Sequence, residues 1–193
     1  GIDPAESRRL IRALDFQPDG PAKDTALLRH AASYPGKLGS QNILLKGEMF
    51  LRLAKSKTVN HDEYAAALNR YLRQAKNSEY FVKVVDALGL KERHPQLVDM
   101  AMTHLGSTLG QATLDTLFDN NATTAIEVKL KNGSPTQLTT LTEALANSRK
   151  NTAADLLINI FLDSAKPLAV RQTAVRGVAG TSPGRLVDLA AGG

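Results

Sequence analysis

Apolar residues recur along this chain at spacings of three and four, in short blocks separated by turn residues. The cleanest block is Tyr64, Leu68, Tyr71, Leu72 and Ala75, at i, i+4, i+7, i+8 and i+11. That spacing places all five on one stripe of a helix, with Asn60 as its N-cap. Before it, Asp3-Pro4-Ala5-Glu6 opens a first helix carrying Leu10, Ala13 and Leu14. Gln17 to Pro21 forms a turn. A second helix then carries Leu27, Leu28 and Ala31, ending near Tyr34-Pro35-Gly36. Ser40 serves as N-cap for a third, with Leu45, Met49 and Leu53 at i, i+4 and i+8.

The remaining chain repeats the pattern. Phe81, Val84, Val85 and Leu88 define a fifth helix. His94-Pro95 opens a sixth with Val98, Ala101, Met102 and Leu105, and Gly106 ends it. Leu114, Leu117 and Phe118 mark a seventh. Ala122, Ala125, Ile126 and Leu130 mark an eighth, stopped by Asn132-Gly133. Ser134-Pro135 caps a ninth with Leu138, Leu141 and Leu145. The tenth has the strongest apolar face, with Ala153, Leu156, Leu157, Ile160 and Phe161. Pro167 opens an eleventh with Val170, Ala174, Val175 and Val178, closed by Gly180. Ser182-Pro183 then starts a twelfth, with Leu186, Val187, Leu189 and Ala190.

No block shows the period-two alternation of a strand, so the predicted class is all-α. Helices this short need neighbours on their apolar sides. Twelve of them joined by tight turns make about six antiparallel pairs of about 30 residues, the logic of a HEAT/armadillo-like α-solenoid spanning residues 1–193 as one domain. A closed orthogonal helical bundle is the alternative.

Composition changes this picture little. The chain of 193 residues is 42% hydrophobic and 22% charged, ordinary globular values. It has no cysteine, which removes disulfides, thiolate metal sites and Cys nucleophiles. Absence of thiols suits the cytoplasm and the periplasm alike. No apolar run reaches the ~18–20 residues that span a membrane. Gly1 without a preceding Met, and a last helix running into Gly192-Gly193, are expected of a segment cut from a longer polypeptide. The net charge of +5 opens the possibility of an acidic or nucleic-acid partner. The basic residues are nevertheless dispersed among acidic ones, as on solvated helix faces.

Pro167, Val170, Arg171, Ala174, Val178 and Gly180 resemble the first helix of a HEAT repeat, in which a proline leads Val-Arg, Ala and Leu-Gly at fixed offsets. Here Val178 replaces the leucine, and the glycine follows two residues later. A wider succession is similar to the HEAT-like stretch of large secreted bacterial proteins of the haem-binding, sugar-dehydrogenase-like class. It runs through Asp99 to Met102, Thr113 to Leu117, Leu141 to Leu145, Asn151 to Leu157, Pro167 to Gly180 and Gly184 to Leu186. That resemblance implies a middle piece of an extracytoplasmic protein, between a β-propeller and a cytochrome c domain. It carries over no haem-binding residue, because the family's motif needs cysteines.

Candidate chemistry is sparse. His61-Asp62-Glu63 superficially matches the H-x-E of zinc deaminases, without their cysteines; Asp62 and Glu63 fit a helix N-terminus. His94 and His104, placed on one helix, would lie about 80° and two to three turns apart, too far for one metal ion. Gly106-Ser107-Thr108-Leu109-Gly110 has its serine in the wrong slot for a nucleophile elbow. Asn121-Ala122-Thr123 and Asn132-Gly133-Ser134 match the glycosylation tripeptide, the second weakened by Pro135. Asp155, Asp163 and Asp188 are dispersed, so no acid–base dyad stands out. Arg70, Arg73 and Lys76 form the one cationic stripe that could face a groove and meet an acidic peptide or phosphate; a solvated face is the plainer reading. The expectation is a non-catalytic scaffold with no cofactor, mediating protein–protein or interdomain contacts. A nucleic-acid-binding helical repeat is the alternative, and a lyase-type helical enzyme the weakest reading.

Overall fold

The structure, a computed structural model, describes residues 4–33, 39–185 and 187. Its described residues contain helices and no strand. The helices are α1 (Pro4–Asp15), α2 (Pro21–Ala32), α3 (Ser40–Leu53), α4 (His61–Ala75), α5 (Glu79–Ala87), α6 (His94–Thr103), α7 (Thr108–Asp119), α8 (Thr123–Asn132), α9 (Pro135–Ala146), α10 (Asn151–Leu162) and α11 (Leu168–Thr181). A 3-10 turn at Lys91–Arg93, unforeseen in the sequence, leads into α6. The chain divides into two compact units, with the boundary between Gly89 and Leu90.

Local signals set most helix ends. Asn60 caps α4: its Oδ1 accepts from the Asp62 N–H at 3.2 Å, and its own N–H donates to Glu63 Oε1 at 2.9 Å. Ser134 and Gln137 form the same reciprocal box at α9. Some ends differ from the expected ones. Gly39, rather than Ser40, caps α3, and Ser40 is its first helical residue. Pro167 caps α11 from outside, and Gly180 lies within the helix. Residues 183–185 are helical, as expected of a twelfth helix, but Leu186, Leu189 and Ala190 lie outside the described residues. So do Asp3 and Tyr34-Pro35-Gly36.

In the first unit α3 is the hub and packs on α1, α2, α4 and α5. The whole predicted stripe of α4 is buried, as are Phe50, Phe81, Val84 and Val85. The Phe50 ring meets Tyr71 at 5.1 Å between centroids and Tyr64 at 6.0 Å, both tilted. Among the described side chains of α1, Ile11 is buried, while Ala13 is exposed and Leu14 half-buried. Of the expected face, Ala13 and Leu14 are thus not core, and the side chain of Leu10 lies outside the described residues.

In the second unit α6 packs on α7, α8 and α9, and α11 packs on α9 and α10. Leu97, Leu117, Ile126, Leu141, Leu145, Leu157 and Val178 are fully enclosed. Thr113 and Thr142 are buried in the same core, and each hydroxyl donates at 2.7 Å to the carbonyl four residues earlier. Leu105 lies beyond the end of α6 and is exposed, not core.

Candidate functional site

Each unit contains a concavity of about 700 Å³ or more among its described residues. In the first, a cleft of about 700 Å³ is lined by the end of α1, the start of α2, the second half of α3 and residues 55–58. Its lining carries four acids (Asp15, Asp19, Asp24, Glu48) and four cations (Lys23, Arg52, Lys55, Lys57). Most are engaged with one another. Arg52 bonds Asp15 through Nε and Nη2 at 2.7 Å each, and Glu48 at 2.6 Å. Glu48 also accepts from the Tyr80 hydroxyl at 2.8 Å, and Lys23 meets Asp19 at 2.9 Å. The bond from Arg52 holds the Asp15 carboxyl below its ordinary value. Glu48 is lowered as well, because the bonds from Arg52 and Tyr80 together outweigh the effect of burial. Burial, then Glu48, pushes the Tyr80 phenol up to about 12. Asp24 is buried and accepts from Ser56 Oγ at 2.5 Å and from Thr58 Oγ1. These bonds tie α2 to the chain after α3. The cleft is thus a mutually neutralised network that holds helices together.

The groove in the second unit is different. It measures about 740 Å³ and lies among the start of α6, the α7–α8 turn, α8 and the start of α9. Pro95, Val98, Ala122, Ala125 and Val128 give it an apolar floor, and Val128 is 53% exposed. Its rim holds Lys91, His94, Asn121 and Asn132. Asp99 is the one carboxylate among its described lining residues, and that is engaged by Lys129 at 2.9 Å. Asn121 adopts φ 52°, a left-handed turn conformation that asparagine tolerates. An apolar floor with a polar rim is suited to holding a side chain or short segment. One engaged carboxylate and one half-buried histidine supply no acid–base pair.

The cationic stripe does not line either concavity. Arg73 and Lys76 are exposed; Arg70 is half-buried, close enough to Lys46 to add to the effect of burial in lowering that amine. Lys46 itself is buried and donates to the Ala31 and Ser33 carbonyls at the end of α2. Tyr71, next to the stripe, is core. His94 is the first residue of α6, and His104 is its C-cap rather than a residue of the helix. Ser107 is an N-cap: its Oγ accepts from the Gly110 N–H at 3.1 Å and donates to the His104 carbonyl at 2.7 Å. Among the described residues no group of three His, Asp or Glu gathers at metal-binding distance. No helix among them is long and apolar enough to cross a membrane.

The sequence reading missed the groove, because its lining comes from residues 91 to 137 on four separate elements. The one local signal was Val128, an apolar residue off the Ile126–Leu130 stripe. Comparison with known proteins yields no matching family model, no similar curated protein and no similar solved structure. What stands on the structure is an all-helical chain of packed short helices.

Proposed function

We propose that this chain is a non-catalytic helical-repeat scaffold, an α-solenoid of HEAT-like pairs, that binds other proteins or flanking domains of its own polypeptide. The observation that carries the reading is the groove around Val128, with an apolar floor, a polar rim and no free carboxylate. Isolated exposed apolar residues are ordinary, but one set in a concavity of this size is a place for a partner's side chain. The HEAT-like residues support the architecture: Val170, Ala174 and Val178 are the buried face of α11. The extracytoplasmic setting, inside a larger protein with a haem domain, rests on the sequence resemblance alone.

Three basic residues of the second unit already face carboxylates, in the pairs Lys129–Asp99, Lys150–Asp119 and Arg185–Asp155, which counts against a nucleic-acid surface there. The deciding experiment expresses the domains that flank this segment in the full reading frame. They should bind the chain in trans, and Val128→Asp should weaken binding about tenfold or more, as for a residue buried at the centre of an interface. No binding to those domains, with steeply salt-dependent binding to duplex DNA instead, overturns the reading.

A further inference from the structure

Helix α11 is apolar on two sides. At about 100° per residue, Val170, Ala174, Gly177 and Val178 cover one face, centred about 225° from Leu168, and all four are buried. Leu168 and Val175 fall within about 20° of each other on a different face. Leu168 is 66% exposed and Val175 half-buried. Arg171 lies about 60° to one side of Leu168 and Arg176 about 80° to the other. With Phe161 and Gln172 these residues line a shallow trough of about 500 Å³, with no carboxylate among the described residues that line it. Arg171 is positioned by its Nε, which donates to the Phe161 carbonyl at 2.9 Å. Among the described residues its Nη atoms have no hydrogen-bond partner. Among the described residues Arg176 makes only long contacts, both 3.4 Å, to its own helix.

A helix that is apolar on both sides is normally covered on both. We infer that the outer face of α11 docks an acidic amphipathic helix of a partner protein, its apolar ridge laid on Leu168 and Val175 and its carboxylates reaching Arg171 and Arg176. The bordering charges select this occupant. A second copy using the same face would bring guanidinium groups toward guanidinium groups. A nucleic-acid backbone would pair with the arginines but leave the apolar ridge against phosphate and sugar. Acidic flanks around an apolar stripe satisfy both features, with Arg–carboxylate pairing setting the register. The inference shares the premise of the scaffold reading that this chain binds proteins, but it uses a surface separate from the Val128 groove.

The test measures fluorescence anisotropy of two labelled peptides of about 18 residues, long enough to form a helix, against the full 193-residue chain. Both carry leucines at i, i+3, i+4 and i+7. One has glutamates on both flanks and the other lysines. The glutamate peptide should bind about tenfold or more tightly than the lysine peptide. Leu168→Asp and Arg176→Glu should each weaken it about fivefold to tenfold, and the pair Arg171→Glu/Arg176→Glu should reverse the preference. Arg149→Glu makes the same charge change at an exposed position in the α9–α10 turn and should leave binding unchanged. Val128→Asp should also leave it unchanged, so loss at the groove and loss at α11 are read separately. Circular dichroism of Leu168→Asp and Arg176→Glu should match the parent, since both residues are exposed; these two carry the test if the double variant, which loses the Arg171 bond to Phe161, is less helical. The inference is overturned by equal binding of the two peptides. Equal losses in Arg149→Glu and Arg176→Glu, self-association abolished by Leu168→Asp, or displacement of the peptide by a duplex oligonucleotide would overturn it as well.

Discussion

Gly177 and Gly180 lie one turn apart on α11 and stand in opposite surroundings. A Cβ on Gly177 would come within 2.5 Å of the Ala146 Cβ and 3.1 Å of Leu157 Cδ1. A Cβ on Gly180 would meet nothing within 4 Å. Alanine gains about 1 kcal/mol over glycine inside a helix. At position 177 the overpacking cost of about 1–3 kcal/mol works against that gain, and the atoms in the way include the α9 backbone. Urea unfolding should therefore show Gly177→Ala losing up to about 2 kcal/mol and Gly180→Ala gaining about 0.5–1 kcal/mol. Equal effects of the same sign would refute the close approach of α9 and α11. The HEAT-like pattern identified Gly180 by its place; nothing in the pattern marks Gly177, whose need for glycine comes from Ala146, far away in sequence.

Among elements, legibility followed locality. Asn60 with Glu63 and Ser134 with Gln137 form helix starts from their own side chains, so sequence alone located α4 and α9. The apolar stripe of α4 was complete because five residues left one possible face. α1 offers few apolar residues, so its register was set by packing on α3 and Ile11 was overlooked. The Arg52 network was equally hidden. It joins Asp15 at the end of α1 to Glu48 on α3 and Tyr80 on α5, and those spacings have no sequence signature. It does carry a pH dependence. Asp15 and Glu48 have carboxyls lowered from ordinary values of 3.8 and 4.5. A carboxyl lowered on folding contributes stability above its unfolded value, and that contribution disappears as pH falls through the folded one. Both acids are partly exposed, so the effect should be no more than about 1 kcal/mol. Thermal melts from pH 6 to pH 2 should show the parent losing stability below about pH 4. In Arg52→Gln that acid-linked loss should be smaller, the variant being already less stable at pH 6. A parallel fall in both proteins would mean that the network contributes nothing to the acid response.

At the scale of the whole molecule, the reading of one repeat array and the two compact units make different demands on the chain. In an evenly coupled array each pair is stabilised by its neighbours, and a cut at any point weakens both sides. Two units with separate cores can each survive a cut between them. The first core is built around Phe50, Tyr64 and Tyr71 and the hub α3; the second around Leu97, Leu117, Leu141 and Leu157. Gly89 adopts φ 60°, a left-handed turn after α5, and Leu90 next to it is buried and is the first residue of the second unit. Residues 90–193 alone bring α6 to α11 and both helix partners of α11, in a size range where chains bury about two-thirds of their unfolded surface. That fragment should be helical and unfold in one cooperative urea transition, with a midpoint close to that of the corresponding transition in the full chain. A fragment without a cooperative transition would show that the second core depends on residues 1–89, the behaviour of a continuous array. An independently folded fragment would instead place the Val128 groove and the outer face of α11 on one autonomous unit, so that both binding experiments could be repeated on it without the first 89 residues.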